Sequence, residues 1–218
     1  MPSLKIDIHV HTVHSDGRGT VKEVLKIAKL KGLNGLAITD HDTLEGYFQA
    51  RIYCGCLLVI PGYEVHTDAG HVIVLGLETL PSEEGRICYE ELIEWVRRLG
   101  GLTVLAHPAA GRVMMKRWLS CKPDAVEVLN ALYPLHGCFT RRSLNLALKL
   151  DVPAVGGSDA HYPQNVGDAY TVVESDSLSL DEFMDNFRRR RVHFSGGASP
   201  LSMRLKVGFG YFVSMFGG

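Results

Sequence analysis

Two pairs of side chains that can bind metal ions follow short apolar runs, one pair near the start of this chain and one in its last third. His9 and His11 follow the first run, and Asp159 and His161 repeat the same spacing late in the sequence. Side chains two apart on an extended backbone point the same way, so both members of a pair can bind one ion. Imidazole and carboxylate donors in such pairs suit divalent transition metals. The spacing therefore predicts metal-centred chemistry.

Further candidate ligands stand near the ends of other apolar runs, namely Asp16, His41, Glu64, His71 and His107. Glu64 is the candidate to bridge two cations, because a carboxylate can offer one oxygen to each ion. Asp16 could instead be an ordinary turn residue before Gly17. His71 begins an apolar run, where a buried polar group needs a partner. We favour metal ligation for all five residues, because they recur at equivalent places near the ends of apolar runs.

Several neighbouring side chains receive other interpretations. Asp7 is expected to accept a hydrogen bond from a ligating imidazole, and Asp42 or Thr43 could cap a helix that includes Glu45. His136 is taken as an exposed loop residue. Arg112 is the candidate phosphate ligand because guanidinium can bind two phosphate oxygens, with a solvated loop arginine as the equal alternative.

The pattern of elements explains why these residues should meet. Runs rich in Val and Ile alternate with helical patterns, which is typical of parallel strands joined by helices. Strands are predicted at Lys5–His9, Gly35–Thr39, Leu57–Ile60, His71–Leu77, Leu102–Ala106, Ala125–Leu129, Pro153–Gly156 and Tyr170–Glu174. Helices are predicted at Thr20–Leu30, Tyr89–Leu99, Phe139–Leu150 and Leu180–Arg190. In an α/β barrel, functional groups lie at the carboxyl ends of the strands, where the candidate ligands fall.

Composition places few limits on this interpretation. The 218 residues, 46% of them hydrophobic and 22% charged, predict one globular domain over residues 1–218. A net charge of −1 argues against a long nucleic-acid or membrane partner. Five cysteines at irregular spacing and a start without a signal-type apolar segment predict a cytoplasmic protein with reduced thiols. The apolar stretch Val207–Phe216 is expected to dock or to self-associate.

Taken together, these residues resemble the PHP family, named for polymerase and histidinol phosphatase. The matching segments are His9-Val10-His11, Ser15-Asp16-Gly17, Thr39-Asp40-His41-Asp42, Gly62-Tyr63-Glu64, His71, Ala106-His107-Pro108 and Ser158-Asp159-Ala160-His161. The resemblance implies an irregular seven-stranded, TIM-like β/α barrel that holds up to three zinc, manganese or iron ions. The chain is most similar to the small stand-alone phosphoesterases, since it lacks the large insertion and the polymerase module of other branches.

The resemblance also implies how the ligands divide. One ion would be held by His9, His11, Glu64 and Asp159, a second by Glu64, His71 and His107, and a third by Asp16, His41 and His161. A hydroxide bridging two of the ions would attack phosphorus.

The expected activity is hydrolysis of a small phosphorylated substrate such as a nucleotide. The alternatives are a nuclease that trims nucleic-acid ends, an amidohydrolase, and a metal-binding scaffold without activity.

Overall fold

The computed structural model describes residues 2–81 and 87–207. Ten strands are found in these ranges: β1 (Ser3–Asp7), β2 (Gly35–Ala37), β3 (Leu58–Ile60), β4 (Gly62–Thr67), β5 (Gly70–Leu75), β6 (Leu102–Leu105), β7 (Ala125–Asn130), β8 (Ala154–Gly157), β9 (Ala169–Glu174) and β10 (Val192–Gly196). The α-helices are α1 (Val21–Leu30), α2 (Glu45–Tyr53), α3 (Tyr89–Arg98), α4 (Met115–Ser120), α5 (His136–Leu150) and α6 (Leu180–Arg188). Residues 163–165 form a 3₁₀ turn, and residues 201–207 are helical.

The strands form two five-stranded mixed sheets. The first has the order β10-β9-β1-β2-β3, with β1, β2 and β3 parallel and β9 antiparallel to both β1 and β10. The second has the order β4-β5-β6-β7-β8, in which β5 runs antiparallel to β4 and β6. Its last three strands are parallel. The predicted alternation of strand and helix is correct for these parallel segments, while the antiparallel pairings of β4, β5, β9 and β10 depart from it.

The edge strand β8 of the second sheet approaches β9 of the first sheet. Gly156 of β8 donates its amide to the Thr171 hydroxyl of β9, and that hydroxyl donates to the Gly156 carbonyl. At the other edge only Pro61 separates β3 from β4. Among the described residues no continuous ladder joins the two sheets. No closed barrel is found in the described residues, and the predicted irregular seven-stranded β/α barrel is therefore not confirmed.

Apolar burial fixes the helices and strands. In α1, Thr20 and Glu23 form a reciprocal capping box, and Val24, Leu25 and Ala28 are buried along one face. Strand β7 is buried along its whole length. Each fully buried Leu, Ile or Val contributes about 1.5–3 kcal/mol relative to an exposed side chain. The sheets therefore form a stable base for the polar loops at their carboxyl ends.

Several helix boundaries differ from the predictions. Helix α5 begins at His136, so this residue lies in a helix and is half-buried rather than in an exposed loop. Helix α4 has no counterpart among the predicted helices. Asp42 does not cap α2, whose preceding residue Leu44 makes no side-chain cap, although the Thr43 hydroxyl accepts from the Glu45 amide.

Two other findings concern the apolar stretch late in the sequence and the length and polarity of the helices. Of the apolar stretch Val207–Phe216, only Val207 lies within the described residues. No helix in the described ranges is both long enough and apolar enough to cross a membrane.

Candidate metal centre

The nine candidate ligands meet at one end of the two sheets. His9 and His11 lie just beyond β1, where Val10 pairs with Ala160 and so brings the two His-containing loops side by side. His41 lies beyond β2 and pairs with Glu64 of β4. His107 follows β6, and Asp159 and His161 follow β8.

Four donor atoms from distant parts of the chain converge in the first group. His9 Nε2 lies 3.1 Å from His11 Nε2, and each of these nitrogens is 3.2 Å from Glu64 Oε2. Both nitrogens are also 3.4 Å from Asp159 Oδ1. Donors about 2.0–2.1 Å from a tetrahedral zinc ion would be about 3.3–3.4 Å apart. The five measured separations therefore fit one ion among these side chains.

A second group surrounds the other oxygen of Glu64. Glu64 Oε1 lies 2.9 Å from His71 Nδ1 and 3.0 Å from His107 Nε2. The β4–β5 register pairs Glu64 with Ile73, which places His71 diagonally on the same face as Glu64. The two carboxylate oxygens thus face two different sets of imidazoles, as a carboxylate shared by two ions must.

A third group is more open to solvent. Asp16 Oδ2 lies 3.0 Å from His161 Nε2 and 3.7 Å from His41 Nε2. Gly17 permits this loop to approach, since a Cβ there would lie 2.6 Å from the backbone of His11. Asp16 is 39% exposed, so this group is the one that solvent reaches most readily.

The chemistry of the donor set fits a cation. His11 Nδ1 is buried and finds no hydrogen-bond partner among the described residues. The imidazole nitrogens of His9 and His11 also face each other, although two lone pairs cannot form a hydrogen bond without a proton between them. A divalent ion satisfies several such lone pairs at once. The residues present therefore fit a metal centre.

Electrostatics in the ion-free cluster point the same way. Burial lowers the pKa of His9, yet Asp159, Glu127 and Glu64 together raise it well above its ordinary value. Burial likewise opposes ionisation of Glu64, but the surrounding imidazoles hold its pKa well below the usual range. The pKa of Asp159 is also lowered, against its burial, chiefly by His9 and His11. Carboxylates that remain ionised in a buried site are suited to hold cations.

Glu127 was not among the predicted site residues, although it is central to the cluster. Its Oε1 lies 2.8 Å from His9 Nδ1, and its Oε2 accepts from the His107 amide and from Asn130 Nδ2. Gly157 leaves room for this pair, because a Cβ there would lie 2.6 Å from both Glu127 Oε1 and His9 Cβ. The signal in the sequence was one charged residue within an otherwise apolar strand, since such a charge must have a partner.

The prediction for Asp7 is wrong. Asp7 accepts hydrogen bonds from the backbone amides of His9, Ser158 and Gly167, and within residues 2–81 and 87–207 it accepts none from an imidazole ring. Its burial raises its pKa to about 6, despite these bonds. Asp7 therefore holds the loops together, while Glu127 orients the imidazole.

Two residues at the centre have strained backbones. His107 has a φ of 30° and Asp159 a φ of 54°, in the left-handed region that side chains other than glycine rarely adopt. Such conformations cost on the order of 1–3 kcal/mol each and persist where surrounding structure enforces them. Here the strain directs both side chains towards the cluster.

A cleft of about 510 Å³ opens beside the second group. Arg112 lines it together with His66, His71 and His107, and Arg112 is exposed. The arginine is thus within the same cleft as the cluster. Its binding to phosphate stays a prediction.

Comparison with known proteins identifies the family. Residues 7–109 match the PHP domain, and residues 139–192 match a PHP-associated segment. An uncharacterized protein of Methanocaldococcus jannaschii is 32% identical over 163 aligned residues, covering 67% of this chain and 92% of that protein. A phosphoribosyl 1,2-cyclic phosphate 1,2-diphosphodiesterase of Eggerthella lenta is 47% identical over 80 residues, covering 33% of this chain and 30% of that protein. A 5'-3' exoribonuclease of Haemophilus influenzae is 32% identical over 82 residues, covering 38% and 26% respectively.

A solved structure with a similar fold comes from Bacteroides vulgatus. It is a two-domain protein described as containing a predicted PHP-like metal-dependent phosphoesterase, with a TM-score of 0.76 and 19% identity. The match covers 90% of this chain and 65% of that chain. At this identity the likeness concerns the fold alone. The two family matches, the shared fold and the clustered donors show that this chain belongs to the PHP family, in which two of the relatives above are named as a phosphodiesterase and an exoribonuclease.

Proposed function

We propose that the chain is a metal-dependent phosphoesterase that hydrolyses a small phosphorylated substrate, such as a nucleotide, at a centre for up to three divalent ions. The observation that carries this proposal is the position of Glu64. One of its oxygens faces His9 and His11, and the other faces His71 and His107. A carboxylate shared in this way holds two cations at the short separation used in hydrolysis of phosphate esters.

The proposed ligand groups follow the three clusters of donors. They are His9, His11, Glu64 and Asp159 for the first ion, Glu64, His71 and His107 for the second, and Asp16, His41 and His161 for the third. Zinc, manganese and iron all suit this mixture of imidazole and carboxylate. The irregular barrel belongs to the same proposal, supported by the contact of β8, at the edge of the second sheet, with β9 of the first sheet.

When bound, the ions supply Lewis acidity for the phosphoryl group and lower the pKa of coordinated water towards about 7. The protein supplies position and charge. Glu127 fixes the His9 ring through its Nδ1, so that Nε2 faces the first group. Asn130 Nδ2 donates to Asp159 Oδ2, which leaves Oδ1 directed at the cluster. Arg112 would bind nonbridging phosphate oxygens from the adjoining cleft. We assign no separate general acid.

A nuclease is the second candidate, supported by the similarity to the exoribonuclease. The overall charge of −1 argues against a long nucleic-acid substrate, because such substrates favour an extended basic surface on the protein. A short oligonucleotide fits both observations. The same assay panel therefore tests both candidates.

The direct test combines metal analysis with hydrolysis assays. Purified protein would be stripped, loaded separately with Zn²⁺, Mn²⁺ or Fe²⁺, and assayed on p-nitrophenyl phosphate, its bis ester, nucleotides and a short oligoribonucleotide. We expect metal-dependent release of phosphate or of p-nitrophenol. Preference for the oligonucleotide would favour the nuclease. Tight metal binding without hydrolysis of any substrate would contradict the proposal and leave the metal-binding scaffold.

A further inference from the structure

A second cleft, of about 250 Å³, adjoins the metal centre on the side of Asp159. Asn130 and Glu64 lie at its inner end. His71, His107 and Arg204 also line it, and the rest of its lining is apolar or aromatic, supplied by Ala110, Leu132, Tyr133, Pro134 and Val207. Its volume is below the range of about 300–1,000 Å³ typical of drug-sized ligands. It can therefore accept one ring system rather than a whole nucleotide.

Arg204 is held in place by carbonyl groups. Its Nη1 donates to the carbonyls of Tyr133 and Pro134 at 3.0 and 2.8 Å, and its Nε donates to the carbonyl of Ser199 at 3.0 Å. These bonds fix the plane of the guanidinium. The remaining nitrogen, Nη2, has no hydrogen-bond partner among the described residues.

The charge of Arg204 also has no carboxylate partner. Among the described residues it forms no ion pair within 4.0 Å, whereas Arg51, Arg117 and Arg190 each form at least one. Arg204 is half-buried beside apolar side chains, and its acceptors among the described residues are neutral carbonyls. A ligand that offers an acceptor atom to Nη2 would add a charge-assisted hydrogen bond.

We propose that this cleft binds the nucleobase of the substrate. The apolar side chains would cover the faces of the ring, and Arg204 Nη2 would donate to a ring nitrogen or carbonyl oxygen at its edge. An alkyl group in place of the base would leave Arg204 Nη2 without an acceptor. A second phosphate in the same place would lie among apolar side chains. This inference rests on the proposed phosphoesterase function and specifies the organic group attached to the phosphate.

The test compares substrates that differ only in the base. One pair is adenosine 5'-monophosphate and ribose 5-phosphate, and the other is thymidine 5'-(p-nitrophenyl) phosphate and 1,2-dideoxyribose 5-(p-nitrophenyl) phosphate. In the pair that the metal-loaded wild type hydrolyses faster, we expect the base to raise kcat/KM by about 10- to 100-fold, as expected for a hydrogen bond to a charged group. Equal kcat/KM values within the pair would overturn the inference.

Variants separate the role of Arg204 from general effects of charge. Arg204→Gln should bring the two members of the pair within about twofold while leaving the substrate without a base little changed. Lys206→Gln removes the same charge from the same helical segment, lies outside the cleft, and should preserve the preference. An equal loss on both substrates in Arg204→Gln would contradict base recognition.

A second variant covers the case in which Arg204→Gln does not fold. Val207→Trp would fill the cleft, with exposed Leu205→Trp as its control. Val207→Trp should remove the preference for the base-containing substrate, and an unchanged preference would contradict the inference. Absence of hydrolysis of every substrate by the loaded wild type would instead mean that the proposed function itself had failed.

Discussion

Glu64 shows how single side chains define the centre. It is buried, and its two oxygens lie within 3.2 Å of four imidazoles that come from three separate segments of the chain. Four of the nearest donors are histidines, which act as ligands only when neutral, so metal competes with protons for this site. Changes at this scale should therefore alter chemistry more than folding.

Removal of one proposed ligand should abolish turnover. His41→Ala and Asp159→Ala are each expected to lower kcat/KM by more than about 100-fold, because each takes a donor from the centre. Circular dichroism should show a folded protein in both cases. His193→Ala, in an exposed position of β10, is the matched control. Full activity in either ligand variant would refute its role.

Glu127 should act through His9 rather than on substrate. We expect Glu127→Gln to weaken metal affinity by about 10- to 100-fold, since the imidazole loses a charged acceptor that orients it. Affinity would be measured by competition with a chelating dye, which does not depend on turnover. Glu174→Gln, at the exposed end of β9, serves as control. Unchanged affinity would show that Glu127 does not position His9.

At the scale of elements, the β4–β5 hairpin carries both Glu64 and His71. Its turn is braced from outside by Asp68, which accepts from Arg117 of α4 at 2.9 Å. Arg117 Nε also donates to Glu90 of α3 at 2.8 Å. This arrangement ties two helices to the hairpin that positions the bridging carboxylate. The stability of the hairpin should therefore depend on the ionised form of Glu90.

The pH dependence of this contact has a definite sign. The hydrogen bond from Arg117 lowers the pKa of Glu90 from 4.5 to about 2. A folded-state pKa below that of the unfolded chain stabilises the fold above about pH 4.5, and this stabilisation is lost as the pH falls towards 2. Glu90→Gln should therefore lower the free energy of unfolding by about 1 kcal/mol at pH 7.

Urea denaturation at pH 7, 4 and 3 would measure this difference. It should shrink as the pH falls below about 4.5, because Glu90 then takes up a proton in the unfolded chain while it stays ionised in the folded chain down to about pH 2. Glu91→Gln on the same helix lacks the arginine contact and should show no comparable change. A Glu90→Gln difference that stays constant with pH would exclude the proposed ion pair as its cause.

At the scale of the whole molecule, the centre links the two sheets. His9 and His11 extend from the first sheet, while Glu64, His71, His107 and Asp159 extend from the second. An ion bound only by the folded chain stabilises it by about 2.7 kcal/mol at 100 times its Kd. Binding of metal ions should therefore raise the stability of both sheets together.

The expected shift in Tm can be estimated from chain length. For a protein of this size 1 kcal/mol corresponds to about 2–4 °C, so saturating metal should raise Tm by about 5–10 °C. Differential scanning calorimetry of stripped and loaded protein would measure it, with Mg²⁺ as a hard-ion control. Asp159→Ala should lose most of the shift. An equal Tm in stripped and loaded wild type would argue against a centre that joins the sheets.

The spacing of residues along the chain was enough to identify the nine candidate ligands, the parallel strands and the family. Local spacing was enough to recognise the pairs His9 with His11 and Asp159 with His161, because side chains two apart on an extended segment share a face. The apolar runs likewise locate strands through burial alone. Only the tertiary structure decided that Glu127, 118 residues from His9, orients its imidazole, and that Asp7 holds backbone amides instead. Arg204 near Asp159 and the division into two sheets also depend on long-range packing, which no local spacing encodes.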